Sequence, residues 1–235
     1  MKAILRGLIE GVRSVRQATN RMRRPVEARS FEPVSRVFGF DRGTPVDRHY
    51  ISSFLGRNEA DVRGDVLEAG DARYGRQFGK ALGKLDVLDL DAANDRASLV
   101  GDLASGRGIP RDAYDCLILT QVYPFIFDLH SAVRHSRLAL RPKGVLLATL
   151  PGLTQISRFD RDRWGDYWRF TSQGARRLFA SEFGEENVRI EPHGNLIAAT
   201  AILRGLAAEE LTPEELDRRD PDYEVLIGVR AVRVA

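Results

Sequence analysis

Two short apolar runs each end in a carboxylate. Val66-Leu67-Glu68-Ala69-Gly70-Asp71 turns through a glycine into a helical stretch, and Leu85-Asp86-Val87-Leu88-Asp89-Leu90-Asp91 closes on Asp91. In a parallel sheet the carboxyl ends of neighbouring strands lie side by side, and nucleoside ligands settle in the crevice there. In that setting Glu68 suits a cationic amine, Gly70 lets the backbone come close to the ligand, and Asp91 suits ribose hydroxyls. A nucleoside carrying an amino acid, such as S-adenosylmethionine, has all three features. Two rival uses exist for these residues. Strand-end carboxylates also cap nearby helices, and Gly70-x-Ala72-x-x-Gly75 is a relaxed dinucleotide fingerprint. Against NAD stand Glu68 inside the motif and a closing strand expected to run antiparallel.

The elements that must position these residues follow from periodicity. Asp47 to Arg57 is read as a helix with Tyr50, Ile51, Phe54 and Leu55 on one face. Strands are expected near 65–69, 85–90, 115–120 and 144–149. The last two are almost continuous apolar runs, as in a sheet covered on both faces. Leu129 to Leu140 is a helix that Arg141-Pro142-Lys143-Gly144 stops. Residues 151–170 form a long connection rich in Asp, Arg, Trp and Tyr. A helix capped by Thr171 or Ser172 runs to Gly184, a strand covers 187–192, and a helix covers 196–210. Thr212-Pro213-Glu214-Glu215 is a capping box, and Tyr223 to Val232 is the closing strand. Strand–helix alternation of this kind argues a doubly wound, mostly parallel α/β sheet.

Composition sets further bounds. The 235 residues divide into an N-terminal helix and connector, 1–45, and a domain, 46–235. Residues 3–18 form a basic amphipathic helix, which either docks its apolar stripe on protein or attaches peripherally to a membrane. Residues 1–24 hold seven basic residues against Glu10 alone, a net +6, which leaves −3 for the other 211. The domain therefore carries no nucleic-acid footprint. No run is long enough for a membrane span, and no signal peptide is expected. Cys116 is alone in an apolar run, so no internal disulfide forms and a cytoplasmic, reducing compartment is expected. The four histidines have no metal-ligand spacing, and no metal site is expected.

Seven motifs follow one another along the chain: Thr44-Pro45-Val46-Asp47-Arg48-His49-Tyr50-Ile51, the Glu68-Ala69-Gly70-Asp71 turn, Val100-Gly101-Asp102-Leu103, Asp115-Cys116-Leu117-Ile118-Leu119-Thr120-Gln121, Leu140-Arg141-Pro142-Lys143-Gly144, Asp166-Tyr167-Trp168-Arg169-Phe170-Thr171 and Gly194-Asn195. In this order and spacing they resemble the class I S-adenosylmethionine-dependent methyltransferases. The likeness is nearest to bacterial proteins found beside, or fused to, glycosyltransferases of surface-polysaccharide pathways. The resemblance implies a Rossmann-like, seven-stranded, mostly parallel sheet with an antiparallel C-terminal strand. It places Glu68, Gly70 and Asp71 around the methionine part of the cofactor and Asp91 at the ribose. Asp102 and the Leu103 backbone take the adenine edge, and Gln121 sits under the sulfonium. Arg48 and Tyr50 come from a helix that lids the site, with Arg48 suited to the cofactor carboxylate. Ala72 and Tyr74 depart from the usual glycine-rich loop, so that the loop has another backbone or lays a ring over the cofactor.

The expected acceptor is a sugar or other small molecule, with a glycosyltransferase as a possible partner. Trp164, Tyr167, Trp168 and Phe170 suit stacking on sugar faces, with hydrogen bonds from Asp166 and Arg169. His49 and Asp166 lead as catalytic bases, ahead of His130 and His193, and Asn195 is placed near the same mouth. The competing expectation is a non-catalytic module of the same fold that partners a glycosyltransferase.

Overall fold

Along each central strand the side chains alternate between two apolar layers, and this alternation determines how the helices must pack. The computed structural model describes residues 30–234. Residues 34–235 form one compact unit. The expected helix at 3–18 lies outside the described residues.

Seven strands form one sheet: β1 (Gly64–Ala69), β2 (Leu82–Asp89), β3 (Leu99–Val100), β4 (Tyr114–Thr120), β5 (Leu140–Pro151), β6 (Val188–His193) and β7 (Leu226–Val232). Their order is β3-β2-β1-β4-β5-β7-β6. The first five pair in parallel, and β7 is inserted antiparallel between β5 and β6. The doubly wound sheet with an antiparallel closing strand is therefore the one expected.

The helices are α1 (Val46–Arg57), α2 (Arg73–Phe78), α3 (Leu129–Ala139), α4 (Arg158–Arg161), α5 (Ser172–Phe183), α6 (Leu196–Arg204) and α7 (Pro213–Asp217). On one face Leu117, Leu119, Leu146 and Ala148 pack with α3 and α5 through Ala132, Val133, Leu178 and Phe179. On the other, Cys116, Ile118, Val145 and Leu147 pack with α1 and α6 through Ile51, Phe54, Ala198 and Ile202. Thr171 caps α5 by accepting from the Gly174 N–H, and the Thr212–Glu215 capping box opens α7.

Several bounds differ from expectation for local reasons. Residue Leu140 already pairs with Tyr114, and a register shift between Tyr114 and Cys116 absorbs Arg141–Gly144, so β5 is twice the expected length. Helix α6 stops at Gly205, a left-handed C-cap, rather than near 210. Residues 34–45 have no helix or strand, yet they are fastened: the Val34 N–H donates to the Arg204 carbonyl and Pro45 bridges Ala207. No helix among the described residues is long and apolar enough to cross a membrane.

Candidate cofactor and acceptor site

The carboxyl ends of β1 to β4 do converge. At the end of β1 the Glu68 side chain is 2 % exposed, and its two oxygens accept from the Tyr74 N–H (2.9 Å) and the Gly75 N–H (2.7 Å). It thus caps the N-terminus of α2 while forming part of a cavity wall. Burial pushes its pKa up to about 7, over the opposing pull of those two N–H groups. Gly70 has φ +83°, and a Cβ built on it would meet nothing within 4 Å. The glycine serves the turn and keeps that space open. Asp71 accepts from the Arg73 N–H (2.9 Å) and lines the same cavity.

The β2 end corrects one expectation. The strand stops at Asp89, two residues short of Asp91. The Asp91 side chain is exposed and accepts from the Ala93 N–H (2.8 Å) within its own turn. Asp89 lines the cleft instead, held by the Asp91 N–H (2.9 Å) and Asn94 Nδ2 (2.7 Å). Each of its oxygens keeps a lone pair. After β3, Asp102 accepts from the Ala104 N–H (2.8 Å) and Ser105 Oγ (2.6 Å). Burial opposes its ionisation, but these bonds outweigh it and lower the pKa. His135 Nδ1 donates to the Leu103 carbonyl (2.8 Å), anchoring that loop. After β4, Gln121 has φ +57°, an uncommon conformation for a residue with a Cβ.

Three cavities meet over this edge. A cleft of about 270 Å³ is bounded by Gly70, Asp89, Asp102, Leu103, Gln121 and Trp164 among others. A polar cavity of about 300 Å³ lies among Arg48, Glu68, Gly70, Asp71 and Tyr74. A chamber of about 680 Å³ has Phe38, Phe40, Phe125 and Phe159 in its walls, with Asp47, Arg48, Ser157, Arg158 and Asp160. Thr120 lines all three, and the cleft and chamber also share Gln121, Phe125 and Asp160. This is the arrangement a two-substrate transfer needs: donor on one side of a strand end, acceptor on the other.

Helix α1 is not a lid. Val46, Ile51, Phe54 and Leu55 are all buried, which fixes the helix in the core. Arg48 lines the polar cavity and the chamber, with Nε 4.0 Å from Asp47 Oδ2. Burial weakens its charge, but Asp47 and Tyr74 beside it raise its pKa on balance. Tyr50 and His49 line none of these three cavities. The Tyr50 hydroxyl donates to the Leu216 carbonyl (2.8 Å), and its ring stacks on His193 at 5.4 Å. His49 Nε2 faces Asp217 at 3.8 Å. Their sequence neighbour Asp47, which sequence reasoning passed over, does line the chamber. Its Oδ1 is buried without a hydrogen-bond partner, and burial raises its pKa over the opposing pull of Arg48. Only the turn of the helix distinguishes it from His49, and a sequence does not show which side of α1 meets the cavity.

Asp166 is removed from the chemistry by its partners. It is a bidentate mate of Arg169 (2.5 and 2.9 Å) and accepts from the Ser157 N–H (2.9 Å). Burial opposes its ionisation, yet Arg169 and the Ser157 N–H hold its pKa below the usual range. It clamps the 151–170 segment. His193 is buried and its pKa is pushed down to about 4, by burial first, over the opposing pull of Glu191 and with Arg219 and Arg57 adding to the fall. His130 lies in a separate groove with Trp168 and Phe170. Asn195 caps α6 and donates to the Glu215 and Arg218 carbonyls, 2.7 Å each. Of the expected stacking rings, Trp164 lines the cleft and Trp168 Nε1 donates to the Ile126 carbonyl (3.1 Å).

The altered glycine loop has a physical account. Gly75 is in α2, where a Cβ would stand 2.6 Å from Leu85 Cδ1. It supplies the close helix–strand packing that a glycine-rich loop provides elsewhere. Tyr74 packs into the core against Phe78, with its hydroxyl buried at the polar cavity beside Arg48.

The seven-stranded sheet and its crevice at the carboxyl ends of β1–β4 define the class I methyltransferase fold, and solved structures agree. A S-adenosylmethionine-dependent methyltransferase from Mesorhizobium loti superposes with a TM-score of 0.50 at 16 % identity, over 80 % of this chain and 98 % of that one. One from Archaeoglobus fulgidus gives 0.51 at 11 %, over 79 % and 94 %. A Haemonchus contortus N-methyltransferase, solved with phosphomonomethylethanolamine and S-adenosylhomocysteine, gives 0.52 at 12 %, over 80 % and 53 %. These identities make the likeness one of fold. No protein-family model matches the sequence, and no curated protein matches it.

Proposed function

We propose that the protein is a methyltransferase that uses S-adenosylmethionine to methylate a hydroxyl of a small-molecule acceptor. One observation carries this reading: the cleft and the chamber abut at Thr120, Gln121, Phe125 and Asp160. S-adenosylmethionine supplies the chemistry as an electrophilic methyl group on a sulfonium. In this reading Asp89 takes the ribose hydroxyls, in place of Asp91, and Asp102 with the Leu103 backbone reads the adenine edge. Glu68 serves the ammonium, Arg48 the carboxylate, and Gly70 with Asp71 shapes the turn between them. Gln121 stands at the junction where the methyl group must pass.

The chain's own contribution is to position, exclude water and take a proton. As the acceptor oxygen bonds to the methyl carbon, its proton must leave. Asp47 is in the chamber wall, carries an unpartnered oxygen and has a raised pKa, so it is the base of this reading. His49 and Asp166 do not have that placement. The sequence resemblance makes sugars the first acceptors to try, and a glycosyltransferase on the same glycan the first partner. The test is release of S-adenosylhomocysteine over a panel of sugars and alcohols. Asp47→Asn is expected to slow turnover about 10²–10⁴-fold while product binding holds. Loss in Asp160→Asn alone would move the base to Asp160, and no release with any acceptor would leave a cofactor-binding module.

A further inference from the structure

The chamber opens through a rim of apolar side chains that face water. Val37 (51 %), Phe40 (55 %) and Phe159 (64 %) line the chamber and are largely exposed, and Leu153 (41 %) and Ile156 (59 %) lie in the same segment as Phe159. The two segments touch, since Gln155 Nε2 donates to the Arg36 carbonyl (3.2 Å). Exposed apolar side chains gathered on two touching segments at a cavity mouth mark a site of interaction.

The charges around the rim point to one kind of partner. Arg36 and Arg158 stand in the chamber wall, and the Arg163 guanidinium lies 3.5 Å over the Phe159 ring. Among the nearby acids Asp162 pairs with Arg161, while Asp160 and Asp41 accept from Ser157 Oγ and Ser35 Oγ and keep their charge, so that Arg36, Arg158 and Arg163 leave the rim with a small net positive charge. Apolar tips between arginines match the boundary between acyl chains and anionic headgroups, where burial and charge attraction add. In the sequence this rim follows residues 1–24, whose net charge is +6.

We infer that this rim seats the protein on an anionic lipid bilayer, with the chamber opening toward the lipid. The docking stands apart from the methyl-transfer reading. Its consequence for that reading, which rests on it, is that the acceptor is an amphiphile whose polar head carries the hydroxyl and whose apolar part lies against the four phenylalanines.

The test is sedimentation of the full chain with phosphatidylcholine vesicles, with and without phosphatidylglycerol, at low and high salt. Binding is expected only with the anionic lipid and weaker at high salt. The double variant Leu153→Ser, Ile156→Ser alters the rim outside the chamber wall and should lower partitioning about tenfold or more. Its S-adenosylhomocysteine binding, read by calorimetry, should match that of the parent, which shows that the domain is folded and separates the two claims. A companion chain with Arg21, Arg23 and Arg24 changed to Gln keeps the rim intact. Binding that the companion loses and the rim variant keeps would place the lipid contact elsewhere and overturn the proposal. So would absence of binding to either vesicle, or a dimer in solution that the rim substitutions dissolve.

Discussion

The Gly75 N–H donates to Glu68 Oε2 over 2.7 Å, tying the end of β1 to the first turn of α2. The same closeness explains why position 75 has no side chain. A Cβ there would stand 3.1 Å from Glu68 Oε2 and 2.6 Å from Leu85 Cδ1. Gly75→Ala should therefore destabilise the domain by about 1–3 kcal/mol through overpacking. Urea unfolding measures this, and an unchanged midpoint would count against the packing described.

The raised pKa of Glu68 gives a pH dependence with a definite sign. The folded state favours the protonated carboxyl, so this contribution to stability is complete below the ordinary carboxylate range. It is lost as pH rises from there to about 7. A cationic ligand group beside Glu68 favours the ionised form instead. Affinity for S-adenosylmethionine should then rise with pH up to about 7, with proton release on binding below that. Glu68→Gln should flatten both trends. Calorimetry in buffers of different ionisation enthalpy reads the released proton directly.

The sheet was legible in the sequence because its central strands are nearly pure apolar runs, and capping residues such as Thr171 and Thr212 mark the helix starts. Of the candidate site, the sequence brought out the residues that sit at or just past a strand end, Glu68, Gly70, Asp102 and Gln121, all of which line the cavities there. At β2, three acids, Asp86, Asp89 and Asp91, compete for one strand end. Composition does not decide among them, whereas the pairing of Leu88 with Leu99 and Asp89 with Val100 does. On α1, positions two apart point to opposite sides, so Asp47 meets the chamber and His49 does not. Residues 34–40, which build one chamber wall, have no periodicity to read.

Gly70 and Gln121 both have positive φ at the cleft, but for opposite reasons in a mutant. Gly70→Ala adds a methyl group into open space that a ligand would need, at the cost of a strained turn. Its unfolding free energy should fall by about 1 kcal/mol, while ligand affinity should fall further. Gln121→Gly relieves strain of about 1–2 kcal/mol and removes a side chain at the junction. A thermal shift assay with and without S-adenosylhomocysteine separates the two effects.

Asp166 should prove to be a clamp. Its carboxylate is almost fully buried against Arg169 and the Ser157 N–H. Asp166→Ala should cost about 1–3 kcal/mol by removing the acceptor of the Ser157 N–H and two of the Arg169 hydrogen bonds, although Arg169 keeps its bonds to the Trp168 and Gln155 carbonyls. In Asp166→Asn, any surviving turnover should keep the pH profile of the parent. A profile that loses its acidic limb in this variant would make Asp166 the base.

The most direct measurement of the central claim is calorimetric titration with S-adenosylhomocysteine of the parent chain, Asp89→Ala and Asp91→Ala, with NAD as a comparison ligand. The structure predicts saturable binding to the parent, weakened about tenfold or more in Asp89→Ala by loss of charged hydrogen bonds, and kept in Asp91→Ala. It predicts none for NAD. No binding to the parent, or a loss confined to Asp91→Ala, would contradict the assignment of this cleft.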